Sequence, residues 1–229
     1  MKNTNTNIKT TKDDYFAERL LAKLNSAEPV FAAYEAQAVS KEVGFDFADF
    51  QDVVPRALDE IREAKEAFAE EGKAGREHFG DEIADIMFSL INLARHAGIS
   101  ELPTINDLAD SLDDAGTDID TIATIDDIGS RISQVSKVAS TNAEGLVSDM
   151  SILLVRGLED TVLLATANGF DPVDLLCANV RKYLIRCQAI ETLAADDNKS
   201  WADLASNNEI VYYWKKAKTI LHNKAHVTK

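Results

Sequence analysis

Helix breakers are scarce in this chain: four prolines and ten glycines are all that interrupt 229 residues, 45% of which are apolar. A sequence so seldom punctuated is built from long elements, and it lacks the frequent turn signals that a series of short strands requires. The expected fold class is therefore all-α, a helical bundle, with enough chain for one large helical domain or two small ones.

The spacing of Phe16, Leu20, Leu21 and Leu24, then of Val30, Phe31, Tyr34 and Val39, predicts two helical pieces between Asp13 and Gly44, parted near Ser26 to Pro29. GFDFADF at 44–50 reads as an aromatic turn that clamps the next helix to the core rather than binding anything. Residues 54–71 predict a charged helix ending near Gly72. Residues 76–97 predict a second, with an apolar stripe of Ile83, Ile86, Met87, Leu90, Ile91 and Leu93 that Gly98 terminates. Their short connection implies an antiparallel hairpin. Beyond an irregular acidic region at 101–120, broken by Pro103 and Gly116, helical periodicity returns at 125–139, 144–168, 172–194 and 201–221. Thr141-Asn142 before Glu144 reads as a turn and helix start. Residues 1–12 read as a disordered leader, 13–222 as the folded domain and 223–229 as a fraying tail.

With 39 acidic and 24 basic residues the formal net charge is −15, and no basic stripe offsets it. Such a chain repels polyanions, so nucleic acid is not an expected partner, whereas a small phosphorylated substrate bridged by metal ions is compatible. No segment reaches the roughly 18 apolar residues of a membrane span, so no membrane partner is expected. Cys177 and Cys187 fall in one predicted helix, where their spacing of about 15 Å is too long for a disulfide. A soluble protein of the reducing cytoplasm is expected.

Two short motifs carry chemistry. DEIRE supplies Glu60 and Glu63, and DEIAD supplies Glu82 and Asp85. Each i, i+3 pair shares a helix face, with Cβ atoms about 5–6 Å apart, and antiparallel packing lets the pairs face each other. Two like charges at about 4 Å repel by about 4 kcal/mol at an effective dielectric of about 20. A divalent cation removes that cost, and an all-carboxylate set without cysteine favours Mg²⁺ or Mn²⁺ over zinc. A lone ExxE in so acidic a chain is ordinarily a solvated face. Here the second pair is embedded beside Ile83 and Ile86 in the most apolar helix. A di-iron bundle needs Glu-x-x-His repeats, and none of His78, His96, His222 or His226 follows a glutamate at that spacing.

The run VGFDF, DEIRE, GDEIADIMFSLINLARHAG, continuous from about Pro29 to Gly98, resembles the MazG-type nucleoside triphosphate pyrophosphohydrolases, an all-α superfamily marked by ExxE followed by ExxD. NGFDPVDLLCANVRKYLIR and EIVYYWKKAK resemble the family segments that follow. The resemblance implies Mg²⁺-dependent hydrolysis of nucleoside triphosphates to monophosphate and pyrophosphate, a housekeeping of the nucleotide pool. It implies Glu60, Glu63, Glu82 and Asp85 as metal ligands, with Glu63, and Glu60 beside it, as the catalytic carboxylates. Lys182 and Arg186 would hold the triphosphate. One residue more than expected lies between Asn179 and Lys182, which leaves Arg181 as the alternative to Lys182. Asn179, Trp214 and Lys218 match positions near the nucleotide. The alternatives are a dUTP- or phosphoribosyl-ATP-type pyrophosphohydrolase and a non-catalytic helical interaction module.

Residues 100–168 have no counterpart in a single family domain and read as an insertion or a degenerate duplicate hairpin. NLARHAGI at 92–99 overlays LLATANGF at 163–170, which sets Glu60 and Glu63 opposite Arg131 and Gln134, and Asp85 opposite Arg156. Family members commonly dimerise to pair their hairpins into a four-helix bundle. A homodimer or a pseudo-symmetric monomer is accordingly expected.

Overall fold

Asp, Ser, Thr and Glu residues start most of the helices by accepting backbone N–H groups that the first turn leaves without partners. Glu28 caps Pro29–Glu42 (α1) through Val30 and Phe31, with Pro29 at the first helical position. Asp49 caps Phe50–Phe68 (α2), and Asp120 caps Thr121–Ala139 (α5). Asp171, followed by Pro172, caps Pro172–Asp196 (α7). Reciprocal Thr104–Asp107 and Ser200–Asp203 capping boxes open the short helices Ile105–Asp110 (α4) and Trp201–Ser206 (α8). Gly72–His96 (α3), Leu146–Ala167 (α6) and Ile210–Val227 (α9) complete the set. This computed structural model describes residues 28–70, 72–112, 118–141 and 145–227, with side chains to 221. Among the described residues the chain has nine α-helices and no strand.

The expected leader and the helical piece around Phe16 to Leu24 lie outside the described residues, as do Asn142 and Glu144 of the expected Thr141-Asn142 turn and helix start. The remaining boundaries hold to within a few residues, with four corrections. The region expected to be irregular, 101–120, contains α4, opened by the Thr104–Asp107 capping box. The charged helix begins at Phe50, not 54, because Asp49 supplies the cap and Pro55 is accommodated inside the helix. The segment 201–221 is two helices: Asn208 has φ +56°, and the Glu209 N–H returns to the Leu204 carbonyl at 2.8 Å. α9 then runs to Val227, through most of the stretch read as a fraying tail.

α2 and α3 form the expected antiparallel hairpin, and α5 and α6 form a second that packs on it, α5 against α2 and α6 against α3. Close approach depends on small residues at the seam. A Cβ at Gly157 would meet Leu90 at 3.3 Å, and one at Gly129 would meet Ile61 at 3.1 Å. α3 and α6 also end alike. Gly98 (φ +75°) and Gly169 (φ +73°) close each helix, and the Ile99 and Phe170 N–H groups each return to an alanine carbonyl, Ala94 or Ala165, at 2.9 Å. Two helical hairpins thus pack on each other within one chain. The overlaid positions have no acidic set: Arg131 pairs with Asp160 at 2.6 Å, and Arg156 with Glu159 at 2.8 Å.

α7 lies across α3, and α1 packs on both. A second core of Val39, Leu184, Cys187, Ile190, Trp201 and Tyr213 joins α1, α7, α8 and α9. Cys177 and Cys187 are both free thiols. No described helix is long and apolar enough to cross a membrane.

Candidate functional site

The buried side of α2 runs Val53, Ala57, Glu60, Ala64, Ala67, so Glu60 occupies a position that the helical repeat assigns to the core. On α3 the run Phe79, Glu82, Ile86, Leu90, Leu93 does the same for Glu82. Packing the hairpin therefore drives these two carboxylates inward. Glu60 is 4% exposed and Glu82 7%. Oxygens of Glu60, Glu63 and Glu82 lie within 4.8 Å of one another, a trio that can hold a metal ion.

Burial pushes the Glu60 carboxyl up to about 7, with the charges of Asp85, Glu63 and Glu82 adding to the rise and Arg56 opposing it. Burial likewise raises Glu82, and Asp85 and Glu63 add to it. Arg56, one turn before Glu60, contacts Glu60 Oε1 at 2.5 Å, and His78 Nε2 contacts Glu82 Oε1 at 3.2 Å. The second oxygens, Glu60 Oε2 and Glu82 Oε2, are buried with no hydrogen-bond donor among the described residues. Acceptors stripped of water and left unpaired are costly. A hard cation with ligands about 2.1 Å away would satisfy both, and the all-oxygen donor set suits it. On that test the trio fits a divalent ion.

Asp85 stands beside the trio rather than within it. Its carboxylate accepts from Asn179 Nδ2 and, at 3.1 Å, from Lys182 Nζ, both on α7. Its charge nonetheless reaches Glu60 and Glu82, raising both.

Glu60 and Asp85 line a cavity of about 690 Å³. Of the residues singled out from sequence, Asn179, Arg186, Trp214 and Lys218 also line it. Arg186 sits over the Trp214 ring, 5.2 Å from its centroid, and burial lowers its pKa despite the nearby Asp85. Lys182 is engaged by Asp85 and Arg181 is exposed, and neither lines the cavity. Glu63 and Glu82, the other members of the trio, are not among its lining residues.

Several lining residues escaped the reading of the sequence. Arg56 was legible in principle, one turn before Glu60 at the spacing of helical ion pairs. The GFDFADF turn does more than clamp: Phe45, Asp46 and Phe47 line the cavity, and Phe45 stacks on Tyr183 and Trp201. Asp46 accepts from Arg95 at 2.5 Å and contacts His96 at 3.0 Å. Burial alone would raise its pKa, but these two partners bring it below the ordinary value. Gln37, Ser89 and Asn92 became visible only when α1 and α3 were brought together.

Comparison with protein-family models, curated proteins and solved structures gave no match.

Proposed function

We propose that this protein is a Mg²⁺-dependent nucleoside triphosphate pyrophosphohydrolase, with Mn²⁺ able to replace Mg²⁺, releasing nucleoside monophosphate and pyrophosphate. One observation carries the reading: the carboxylate trio contributes Glu60 to a cavity whose lining also holds Arg56, Arg186, Lys215 and Lys218 together with Phe45 and Trp214. A triphosphate needs cations along its oxygens, and a base needs aromatic faces. The MazG-type resemblance of the same hairpin agrees with this reading.

Glu60, Glu63 and Glu82 would hold the ion, with Asp85 beside them. Bound there, it would supply charge neutralisation on the phosphates and polarise a water for attack. The water oxygen bonds to the α-phosphorus, the bond to the α,β-bridging oxygen breaks, and pyrophosphate departs. Glu63 takes the proton lost by the water. Its side chain is 34% exposed, against 5% for Glu60 and 9% for Glu82, so it alone of the trio reaches solvent to any extent. Arg56 and Arg186 hold phosphate oxygens and balance the charge that grows on the departing group. Asn179 and Lys182 keep Asp85 in place from α7.

The test is pyrophosphate release from a mixture of nucleoside triphosphates with and without Mg²⁺. Wild-type protein releases it only with the metal, and Glu63→Gln lowers the rate by at least about a hundredfold. Metal-independent release, or full activity in the variant, would remove the assignment.

A further inference from the structure

The two buried carboxylates of the trio are held in the same way. Arg56 stands four residues before Glu60 on α2 and contacts its Oε1 at 2.5 Å. His78 stands four residues before Glu82 on α3, and its Nε2 contacts Glu82 Oε1 at 3.2 Å. That spacing stacks two side chains one above the other on a helix. In both carboxylates the other oxygen, Oε2, is buried with no hydrogen-bond donor among the described residues. Each helix of the hairpin thus occupies one oxygen of its buried acid and leaves the other over.

The two holders differ in what lies beyond them. Arg56 lines the cavity, whereas His78 is not among the lining residues. Its second nitrogen, Nδ1, lies 3.1 Å from Glu70 Oε2, in the connection between α2 and α3. Gly75 lets that connection come close, since a Cβ there would meet the Glu70 Cβ and carbonyl oxygen at 2.7 Å. The imidazole is thereby pinned at both nitrogens, between Glu70 outside and Glu82 inside.

We propose that His78 is a positioning residue for the divalent ion: pinned by Glu70, it holds Glu82 Oε1 and leaves Oε2 as the oxygen that binds metal. The inference rests on the trio holding an ion, which the proposed function also requires. A half-exposed pair such as His78 and Glu70 adds little to stability by itself. Its leverage lies in Glu82, a long and buried carboxylate that must keep one rotamer for its oxygen to meet those of Glu60 and Glu63. Carboxylates that ligate a metal are ordinarily fixed by an outer partner, and loss of that partner costs about ten- to a hundredfold in metal affinity. Charge alone predicts the opposite sign, because taking a cation away from beside the ion would tighten its binding.

Mn²⁺ binding without nucleotide, followed by electron paramagnetic resonance, tests this apart from catalysis. His78→Ala is expected to weaken Mn²⁺ binding by at least about tenfold. His78→Gln keeps an N–H donor four residues before Glu82 and is expected to stay within about threefold of wild type. Glu70→Ala removes the pin at a half-exposed position and is expected to weaken binding by about threefold or more, which carries the test should His78→Ala fail to fold. The spectrum of bound Mn²⁺ is expected to show no coupling to an imidazole nitrogen. Such a coupling would make His78 a ligand and overturn the positioning role. Unchanged or tighter binding in folded His78→Ala or Glu70→Ala, or equal loss in the alanine and glutamine variants of His78, would overturn it too and leave the trio standing. Failure of the wild-type protein to bind Mn²⁺ would overturn both.

Discussion

Arg56 and Glu60, one turn apart on α2, meet at 2.5 Å where the acidic trio adjoins the cavity, and both line that cavity. The guanidinium is half-exposed while the carboxylate is buried, so the pair joins the interior acidic trio to the cavity.

On the proposed function, Arg56 would exchange its carboxylate partner for a phosphate when substrate enters. Arg56→Gln is expected to raise KM for nucleoside triphosphates about tenfold with little change in the Mg²⁺ concentration for half-maximal rate. Steady-state kinetics at varied substrate and metal check this. A shift confined to the metal dependence would place Arg56 in the metal site alone.

The raised Glu60 carboxyl makes stability depend on pH in a definite direction. Between its ordinary 4.5 and about 7 the folded protein holds a proton that the unfolded chain has lost, so metal-free stability falls as pH rises through that window. The loss amounts to about 3 kcal/mol by pH 8. Urea unfolding at pH 5 and pH 8 measures it. Glu60→Gln is expected to flatten the dependence, and saturating Mg²⁺ to restore stability at pH 8.

Docking of the second hairpin relies on Gly157, where a side chain would press on Leu90. Gly157→Val is expected to cost about 1–3 kcal/mol through overpacking, read from thermal or urea melts. An unchanged melt would mean that the α3–α6 seam has slack.

Much of the fold was legible because α2, α3, α5, α6 and α7 are long, periodic and capped, and their stripes name the buried face directly. Glu60 and Glu82 could be found for the same reason: each interrupts an apolar stripe, which a merely solvated acid does not do. Asp85 shared their helix face, yet its partners Asn179 and Lys182 lie on α7, nearly a hundred residues away, and no spacing rule reports them. The same limit applies to Gln37, whose partner Phe88 lies 51 residues away. The division at Asn207–Asn208 was missed because periodicity resumes on both sides, and only the left-handed Asn208 separates α8 from α9.

The central claim is that Glu60, Glu63 and Glu82 share a divalent ion, and titration of Mn²⁺ followed by the electron paramagnetic resonance signal of the free ion tests it without reference to catalysis. Wild-type protein is expected to remove free Mn²⁺ from solution saturably, in competition with Mg²⁺, and Glu60→Gln combined with Glu82→Gln to abolish that uptake while remaining folded. Undiminished free Mn²⁺ over the wild-type protein, or equal uptake by the double variant, would contradict the account.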